Sequence, residues 1–274
     1  MQYYELAVLG CDLLAPLFLE RARRQYARIL WVRDSETPVD TLPWGIEVMM
    51  GPYHFESERH LACATATGTV HFAAERTVLA CGASPLRPGW MLEHPRLVLA
   101  DHWERLPESA ESVAIIGMGH MGVQTLRRLQ GKIPRLYCLD ARDIHCPPQA
   151  WKVTGGTSCW LSANNAVIGI RADEQFLSLY LENGQTRQVD AAVVCCGSRG
   201  NTETRRLKAT GLSTDDRGKV WCNDDYETWT PGIYALGDVV GYPQLEISGS
   251  EQVDRIITAM QAVVPNEQRP LLVG

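Results

Sequence analysis

A glycine-rich segment in the middle of the chain has the residue types and spacing of a dinucleotide-binding loop. Gly117, Gly119 and Gly122 form a G-x-G-x-x-G pattern that follows an apolar segment and precedes a helical pattern. In such a loop the first glycine allows a tight turn, the second lets backbone N–H groups approach a pyrophosphate, and the third lets helix and strand pack closely. The start of the helix adds unpaired N–H donors for the anion. We therefore predict a dinucleotide site that includes every residue of the loop: Gly117, Met118, Gly119, His120, Met121 and Gly122.

An acidic residue follows the loop at the distance that a ribose contact requires. Asp140 ends the next apolar segment, 135–140, and lies 23 residues after Gly117. A carboxylate there accepts a hydrogen bond from a ribose 2′-hydroxyl and repels a 2′-phosphate, which favours NAD(H) over NADP(H). Arg142, two residues on, could instead bind a 2′-phosphate, so NADP(H) stays the alternative. The alternative interpretation of this pattern is a glycine-rich turn that binds no ligand.

Few other side chains are candidates for a catalytic, redox or metal-binding role. His120 lies in the loop and could touch a nicotinamide ring, which makes it the candidate catalytic residue; a polar loop residue at a domain interface is the alternative. Nine cysteines are scattered without a C-x-x-C pair, and Cys195-Cys196 is either a vicinal redox pair or two small buried strand residues. We expect reduced thiols, a cytoplasmic location and no metal site, since His145-Cys146 stands alone.

Composition limits the partners. The 274 residues carry a formal net charge of −6, and 45% of them are apolar. This apolar share supports a packed core, and the negative charge argues against general nucleic-acid binding, which needs a basic face. No segment reaches the roughly 18 apolar residues of a transmembrane helix, and the N-terminus lacks the basic start of a signal peptide. We therefore expect neither a membrane nor a nucleic acid as partner.

Two segments of the same kind are predicted to position these residues. Residues 4–10, 13–26 and 27–32 have the patterns of a strand, a helix and a strand, and the pattern begins again about 107 residues later at the glycine loop. Repeated β-α-β openings are typical of α/β proteins with doubly wound parallel sheets. Residues 85–110 contain four prolines and are predicted to be a connection. Further strands are predicted at 46–50, 58–64, 69–73, 77–81, 165–196, 218–222 and 232–236, and a helix at 247–263.

The last third of the chain resembles a known family. Residues 200–245 contain GNT, GL and D-x-R-G, then TWTPGIYALGD and GYP. This pattern resembles the pyridine nucleotide-disulfide oxidoreductase superfamily, which are flavoproteins with two dinucleotide-binding domains, and within it the soluble pyridine nucleotide transhydrogenases. Residues 78–85, VLACGASP, resemble a strand end of the same family.

The resemblance implies a fold and a second site. The fold is α/β with two Rossmann-like three-layer domains: an NAD-type domain at 108–200, inserted in an FAD-type domain formed by 1–107 and 201–274. In the family, the aspartate that matches Asp238 binds the ribityl part of FAD, and Gly197 matches a glycine of the NAD-type domain. The residues that match the FAD-type site are Gly10, Asp12, Ala15, Gly82, Gly237 and Asp238.

Four departures from the family pattern argue against FAD binding or disulfide reduction. The loop at 10–15 reads GCDLLA, so Asp12 occupies the second-glycine position. A carboxylate about 4 Å from a pyrophosphate costs about 4 kcal/mol, against a gain of at most about 2 kcal/mol at a helix end. Either Asp12 turns away, or it caps the helix itself and replaces the phosphate. Arg33 matches the acidic ribose-binding position of the family, with Asp34 one residue later.

The other two departures concern catalysis. The segment after Asp34 is too short for the family's redox-cysteine helix, and the sequence ends near 274 without the domain that carries a His–Glu pair, so no disulfide reductase activity is expected.

Two functions stay open. One is an oxidoreductase that transfers hydride between NAD(H) and a flavin. The other is a non-catalytic dinucleotide-binding sensor or partner protein with a degenerate FAD site. A protein partner or a homo-oligomer is compatible with both.

Overall fold

The computed structural model describes residues 1–34, 44–143, 156–243 and 248–262. The chain forms two compact units. Unit 1 consists of Met1–Ser84 and Arg199–Gly274, and unit 2 consists of Pro85–Ser198. Unit 2 is therefore an insertion in the sequence of unit 1. Each unit is a Rossmann-like α/β domain.

The first segment of unit 1 begins with the predicted strand, helix and strand. Its elements are β1 (Gln2–Leu9), α1 (Ala15–Ala22), β2 (Ile29–Arg33), β3 (Glu47–Met50), β4 (Tyr53–Phe55), β5 (His60–Thr65), β6 (Gly68–Leu79) and β7 (Ala83–Pro85). The predicted helix at 13–26 is shorter in the structure because Pro16 belongs in a first helical turn, where a missing N–H costs nothing. The strands predicted at 69–73 and 77–81 form one long strand, β6, since no turn interrupts its pairing with β1.

The elements of unit 2 follow in chain order. They are β8 (Leu97–Leu99), β9 (Ser112–Ile116), α2 (His120–Leu129), β10 (Arg135–Leu139), β11 (Ser158–Ser162), β12 (Val167–Ala172), β13 (Leu177–Leu181), β14 (Thr186–Val189) and β15 (Ala191–Val194). A short 3-10 helix, Ala100–Arg105, follows β8.

The chain then returns to unit 1. Its elements there are β16 (Ser198–Gly200), β17 (Val220–Trp221), β18 (Ile233–Ala235), β19 (Val240–Tyr242) and α3 (Gly249–Ala262). Three short 3-10 helices belong to the same segment: Glu203–Arg205, Leu207–Thr210 and Gly237–Val239.

Unit 1 is built on a seven-stranded sheet with the order β3-β2-β1-β6-β5-β4, in which β18 also pairs with β6. The pairs that involve β1, β2, β3 and β18 are parallel, whereas β4, β5 and the start of β6 are antiparallel. Phe18 and Leu19 of α1 and Val253 and Ile256 of α3 are fully buried in the core of this unit. The carboxyl ends of β1, β2, β6 and β18 lie at one edge, which is where open α/β sheets bind ligands.

Unit 2 is built on a five-stranded parallel sheet with the order β11-β10-β9-β15-β8. Successive side chains of a strand point to opposite faces. Val113 and Ile115 of β9 pack in the same cluster as Leu126 of α2, while Ala114 packs in the cluster that contains Leu179. Leu179 belongs to the antiparallel sheet β12-β13-β14. Unit 2 thus has three layers: a helix, the parallel sheet and the small antiparallel sheet.

The unit boundaries differ from the ones that the sequence suggested. The first boundary lies after Ser84 rather than after 107, and the second lies after Ser198 rather than after 200. The reason is the strand β8, which the proline-rich composition of 85–110 concealed. It pairs with β15 through Ala192↔Leu97, Val193↔Val98 and Val194↔Leu99, and it completes the parallel sheet of unit 2.

Two negative findings apply to the described part of the chain. None of its helices combines the length and the apolar character that crossing a membrane would demand. Within the same residues, His, Cys, Asp and Glu side chains form no group of three or more that could hold a metal ion.

Candidate functional site

The three glycines of the unit 2 loop occupy three different environments. Gly117 has φ +96°, and a Cβ added to it would lie 2.4 Å from the carbonyl oxygen of Cys195, so only glycine fits the turn. A Cβ on Gly122 would lie 2.0 Å from the carbonyl oxygen of Gly117, so the third glycine brings the helix against the loop. A Cβ on Gly119 would meet nothing within 4 Å. The second position is therefore the open one, where a ligand can approach the backbone.

The start of helix α2 has free capacity for an anion. Gly119 is the N-cap of α2, no side chain caps this end, and the first turn contains no acidic residue. The first N–H groups of a helix have no partners within the helix, and the helix dipole places partial positive charge there. An anion is the natural acceptor for such a group of donors.

Asp140 is held beside the same loop. It follows β10, and its Oδ2 accepts the Met118 N–H at 2.6 Å while its Oδ1 accepts the Arg142 N–H at 2.9 Å. The backbone of Asp140 bonds to Ser162 and Asn165 at 3.0 Å each. The side chain is 10% exposed, and the Arg142 guanidinium, 78% exposed, lies 4.0 Å from Oδ1. A carboxylate has about four lone-pair sites, so Asp140 retains acceptors for two hydroxyl groups.

The other predicted residues of this site are placed as follows. Met118 is buried, and Met121 packs against the core beneath α2. Gly197 has φ +102°, and its carbonyl oxygen accepts the Leu86 N–H at 2.9 Å. The side chain of His120 lies outside the described residues, so its candidate catalytic role stays a prediction.

Of the neighbouring thiols Cys195 and Cys196, the first is buried and the second is partly buried. Burial raises the pKa of Cys195 to about 12 and that of Cys196 to about 11. Their Sγ atoms contact different partners, Thr125 Oγ1 at 3.6 Å and the Ile116 carbonyl oxygen at 3.7 Å. Because the thiolate is the reactive form, a raised pKa opposes redox chemistry at this pair. His145 and Cys146 lie outside the described residues.

The loop of unit 1 repeats the turn of unit 2. Gly10 has φ +111°, and a Cβ added to it would lie 2.4 Å from the carbonyl oxygen of Ala80, at the end of the neighbouring parallel strand. Its N–H bonds to Val32 at 2.9 Å, and the Asp12 N–H bonds to Ala80 at 2.8 Å. Ala15 is buried and begins α1. The first and third positions thus match the dinucleotide-binding pattern.

The second position of this loop is filled. Asp12 Oδ1 accepts the Leu14 N–H at 3.0 Å, and Oδ2 accepts the Asp238 N–H at 3.2 Å. The carboxylate lies directly over Gly237, where an added Cβ would be 2.1 Å from Oδ2; for Gly82 that distance is 3.6 Å. Neither alternative for Asp12 is met in full. The carboxylate stays within the loop, and it accepts the N–H of Leu14, the N-cap residue, so it does not cap the helix itself.

Burial is the main influence on the Asp12 carboxyl. Desolvation raises the pKa of Asp12, and the negative charge of Asp238 raises it further. The two backbone hydrogen bonds, from Leu14 and Asp238, lower the pKa but do not compensate. The Asp238 side chain is exposed. The carboxylate therefore occupies this position at an energetic cost.

An ion pair with one buried partner lies beyond the end of β2. Asp34 pairs with Arg205, whose side chain is only 8% exposed. The Arg205 guanidinium stacks 4.1 Å from the ring centroid of Tyr53 and donates to the Asn201 carbonyl oxygen at 3.3 Å. Arg33 lies over the ring of Trp31 at 4.9 Å. The acid nearest to the ribose position of unit 1 is thus committed to an internal partner.

Sequence reasoning missed three of these residues. Arg205 and Tyr53 complete the Asp34 cluster, and Gln252 Oε1 accepts the Gly237 N–H at 3.2 Å. Arg205 lies in the segment that carried the resemblance, but nothing in that segment indicates a partner 171 residues away.

Two Rossmann-like units, with a glycine loop between β1 and α1 in one and between β9 and α2 in the other, define a protein of the two-dinucleotide-domain class. The model of the pyridine nucleotide-disulphide oxidoreductase family matches residues 13–262, and the chain belongs to this family. Soluble pyridine nucleotide transhydrogenases from Klebsiella pneumoniae and Salmonella typhimurium are 32% and 31% identical to it over 234 residues. Each match covers 81% of this chain and 49% of the relative, so the chain spans about half the length of these relatives.

Solved structures agree on the fold. The HOCl-induced flavoprotein disulfide reductase RclA from Escherichia coli aligns with a TM-score of 0.75 at 16% identity, covering 97% of this chain and 72% of that one. Thioredoxin reductase of T. acidophilum aligns with a TM-score of 0.69 at 13% identity, covering 95% of this chain and 100% of that one.

Proposed function

We propose that unit 2 binds NAD(H) and that the chain acts as an NAD(H)-binding member of its oxidoreductase family. The observation that carries the proposal is the Asp140 carboxylate, held beside the glycine loop by the Met118 N–H with acceptor capacity left over. The open position at Gly119 and the uncapped start of α2 would receive the pyrophosphate. The turn at Gly117 and the close contact at Gly122 would shape the loop. The other residues proposed for the site are Met118, His120, Met121 and Gly197.

The preference for NAD(H) over NADP(H) follows from charge. The two hydroxyl groups of an adenosine ribose would donate to Asp140, whereas a 2′-phosphate would meet its negative charge. Arg142 is exposed and lies 4.0 Å from Asp140, so it partly offsets this repulsion. The preference is therefore for NAD(H) without complete exclusion of NADP(H). When bound, the nicotinamide supplies a hydride that it can give or accept.

Calorimetric titration with NAD, NADH and NADP tests this proposal. We expect tighter binding of NAD than of NADP, and Asp140→Asn should weaken NAD by about tenfold to a hundredfold, since hydrogen bonds to a charged group are lost. Asp173→Asn is the matched control, because it removes the same charge from an exposed turn of the same unit. Unchanged NAD affinity in a folded Asp140→Asn protein would contradict the assignment.

A second candidate function is a dinucleotide-binding protein without flavin chemistry, such as a sensor or a partner of another protein. The observation that favours it is the Asp12 carboxylate, which fills the loop position where the family binds FAD. A hydride-transfer oxidoreductase should oxidise NADH faster when FAD is added. The second candidate should bind NADH with the same affinity and show no FAD-dependent oxidation.

A further inference from the structure

The FAD-type site of unit 1 can be tested for fit against its own residues. In unit 2, the second loop position leaves the space around Gly119 empty. In unit 1, the same position carries the Asp12 carboxylate, which lies over Gly237 and accepts the backbone N–H groups of Leu14 and Asp238. These are donors of the kind that a phosphate would need. The residues present therefore do not fit a pyrophosphate while Asp12 stays in place.

We propose that the Asp12 carboxylate is an internal replacement for the phosphate of a dinucleotide, and that unit 1 is consequently a closed site that does not hold FAD. The replacement reproduces the hydrogen-bonding role of a phosphate with a group that belongs to the chain. It satisfies the backbone N–H groups of Leu14 and Asp238 without any ligand.

The ribose end of unit 1 supports the same conclusion independently. A dinucleotide would need a free acceptor after β2, as Asp140 provides after β10 in unit 2. The acid there, Asp34, is paired with Arg205, which is buried against the Tyr53 ring. A ribose at this position would have to share the Asp34 carboxylate with Arg205, whose positive charge the carboxylate already neutralises.

Electrostatic repulsion also opposes FAD binding at this loop. A pyrophosphate at this loop would meet the negative charge of the Asp12 carboxylate, whose pKa is already raised by desolvation and, to a smaller extent, by the charge of Asp238. Like charges at short range inside a partly buried site are screened far less than on the surface. Removing the Asp12 side chain should relieve the steric block, most of the repulsion, and the competition for the two N–H groups together.

Three variants test the proposal on the full chain. Asp12→Gly restores the glycine of the loop pattern. Asp12→Asn removes the charge but retains nearly the same volume, so it separates charge from space. Leu13→Gly is the matched control, since Leu13 is 90% exposed and its replacement adds the same flexibility to the loop while keeping the carboxylate.

FAD is the probe, and its binding is followed by flavin fluorescence and by the absorption that remains after gel filtration. We expect no retained FAD in the wild-type chain or in Leu13→Gly, and a gain in FAD affinity of at least about tenfold in Asp12→Gly. Asp12→Asn should gain less, because the side chain still fills the space. NAD binding to unit 2 should be the same in all four proteins, so a failure of NAD binding would contradict the proposed function and leave this inference standing.

Several results would overturn it. A wild-type chain that retains one FAD shows that Asp12 moves aside, and this measurement depends on no variant. A folded Asp12→Gly chain without improved FAD affinity shows that the carboxylate is not the obstruction. An equal gain in Leu13→Gly attributes the effect to loop flexibility. If Asp12→Gly fails to fold, absence of any gain in Asp12→Asn also contradicts the role of charge.

Discussion

The two glycine loops of the molecule share a turn and differ at one position. Gly10 and Gly117 both have positive φ, and an added Cβ would lie 2.4 Å from a carbonyl oxygen of the adjacent parallel strand in both cases. Two residues later the loops diverge: Gly119 faces open space, whereas Asp12 reaches the backbone N–H of Asp238. The first glycine is thus fixed by the packing of the sheet. The second is the residue that decides whether the loop can accept a ligand.

The acid after β2 in unit 1 and the acid after β10 in unit 2 diverge in the same way. Among the described residues, Asp140 accepts the backbone N–H groups of Met118 and Arg142, lies 4.0 Å from the exposed Arg142 guanidinium, and keeps acceptors for a ligand. Asp34 is paired with the buried Arg205. A family that binds two dinucleotides provides both frameworks, and in this chain one of the two acids is paired with an internal arginine. Conservation of the framework alone therefore does not indicate a bound cofactor.

The largest expected effect comes from copying the unit 1 residue into unit 2. In Gly119→Asp, the new carboxylate would lie about 4 Å from the pyrophosphate, which costs about 4 kcal/mol at an effective dielectric constant of about 20 and corresponds to roughly a thousandfold loss of NAD affinity. The fold should persist, because a Cβ at this position meets nothing within 4 Å. Calorimetric titration measures the loss. Gly119→Ala is the control and should lose far less; equal losses in both variants would attribute the effect to size.

The next largest effect tests whether the pair of Asp34 with Arg205 stabilises the folded protein. Arg205→Met removes the partner of Asp34 and the stacking on Tyr53, which should lower the free energy of unfolding by about 1–2 kcal/mol. The neighbouring Arg206 is exposed, so Arg206→Met should change it by less than about 0.5 kcal/mol. Urea denaturation followed by circular dichroism compares the two. Similar stability of both variants would show that Asp34 does not depend on this pair.

The smallest effect is the pH dependence at Asp12. Its pKa in the folded protein is raised above its ordinary value of 3.8, so the folded state holds the proton more tightly than the unfolded chain. The stability contributed by the protonated form is present below pH 3.8 and is lost as the pH rises through the higher pKa of the folded state. Asp12→Asn resembles the protonated form and should become the more stable protein above that range, by about 1 kcal/mol or less. Urea midpoints measured between acidic and neutral pH check this, and a difference independent of pH would contradict it.

Local features of the fold and site were predictable from sequence. The turn at Gly117 and the contact at Gly122 depend on the backbone of neighbouring residues, and Asp140 ends a strand whose apolar pattern is visible. The substitution at Asp12 was equally visible, but the position of its carboxylate was not. The strand β8 escaped prediction because three apolar residues among prolines give no periodic signal, and only pairing with β15 makes them a strand.

The sequence by itself determined the family, the α/β class and the identity of the two loops, because short-range spacing sets a tight turn, the start of a helix and the end of a strand. Only the tertiary structure decided that the loop of unit 2 is open to a ligand at Gly119 and that the loop of unit 1 is filled by the Asp12 carboxylate. Asp12 meets Asp238 across 226 residues, and Arg205 meets Asp34 across 171. Contacts at such separations depend on which strands become neighbours and how their loops meet at the sheet edge, and no local pattern of residue types specifies that.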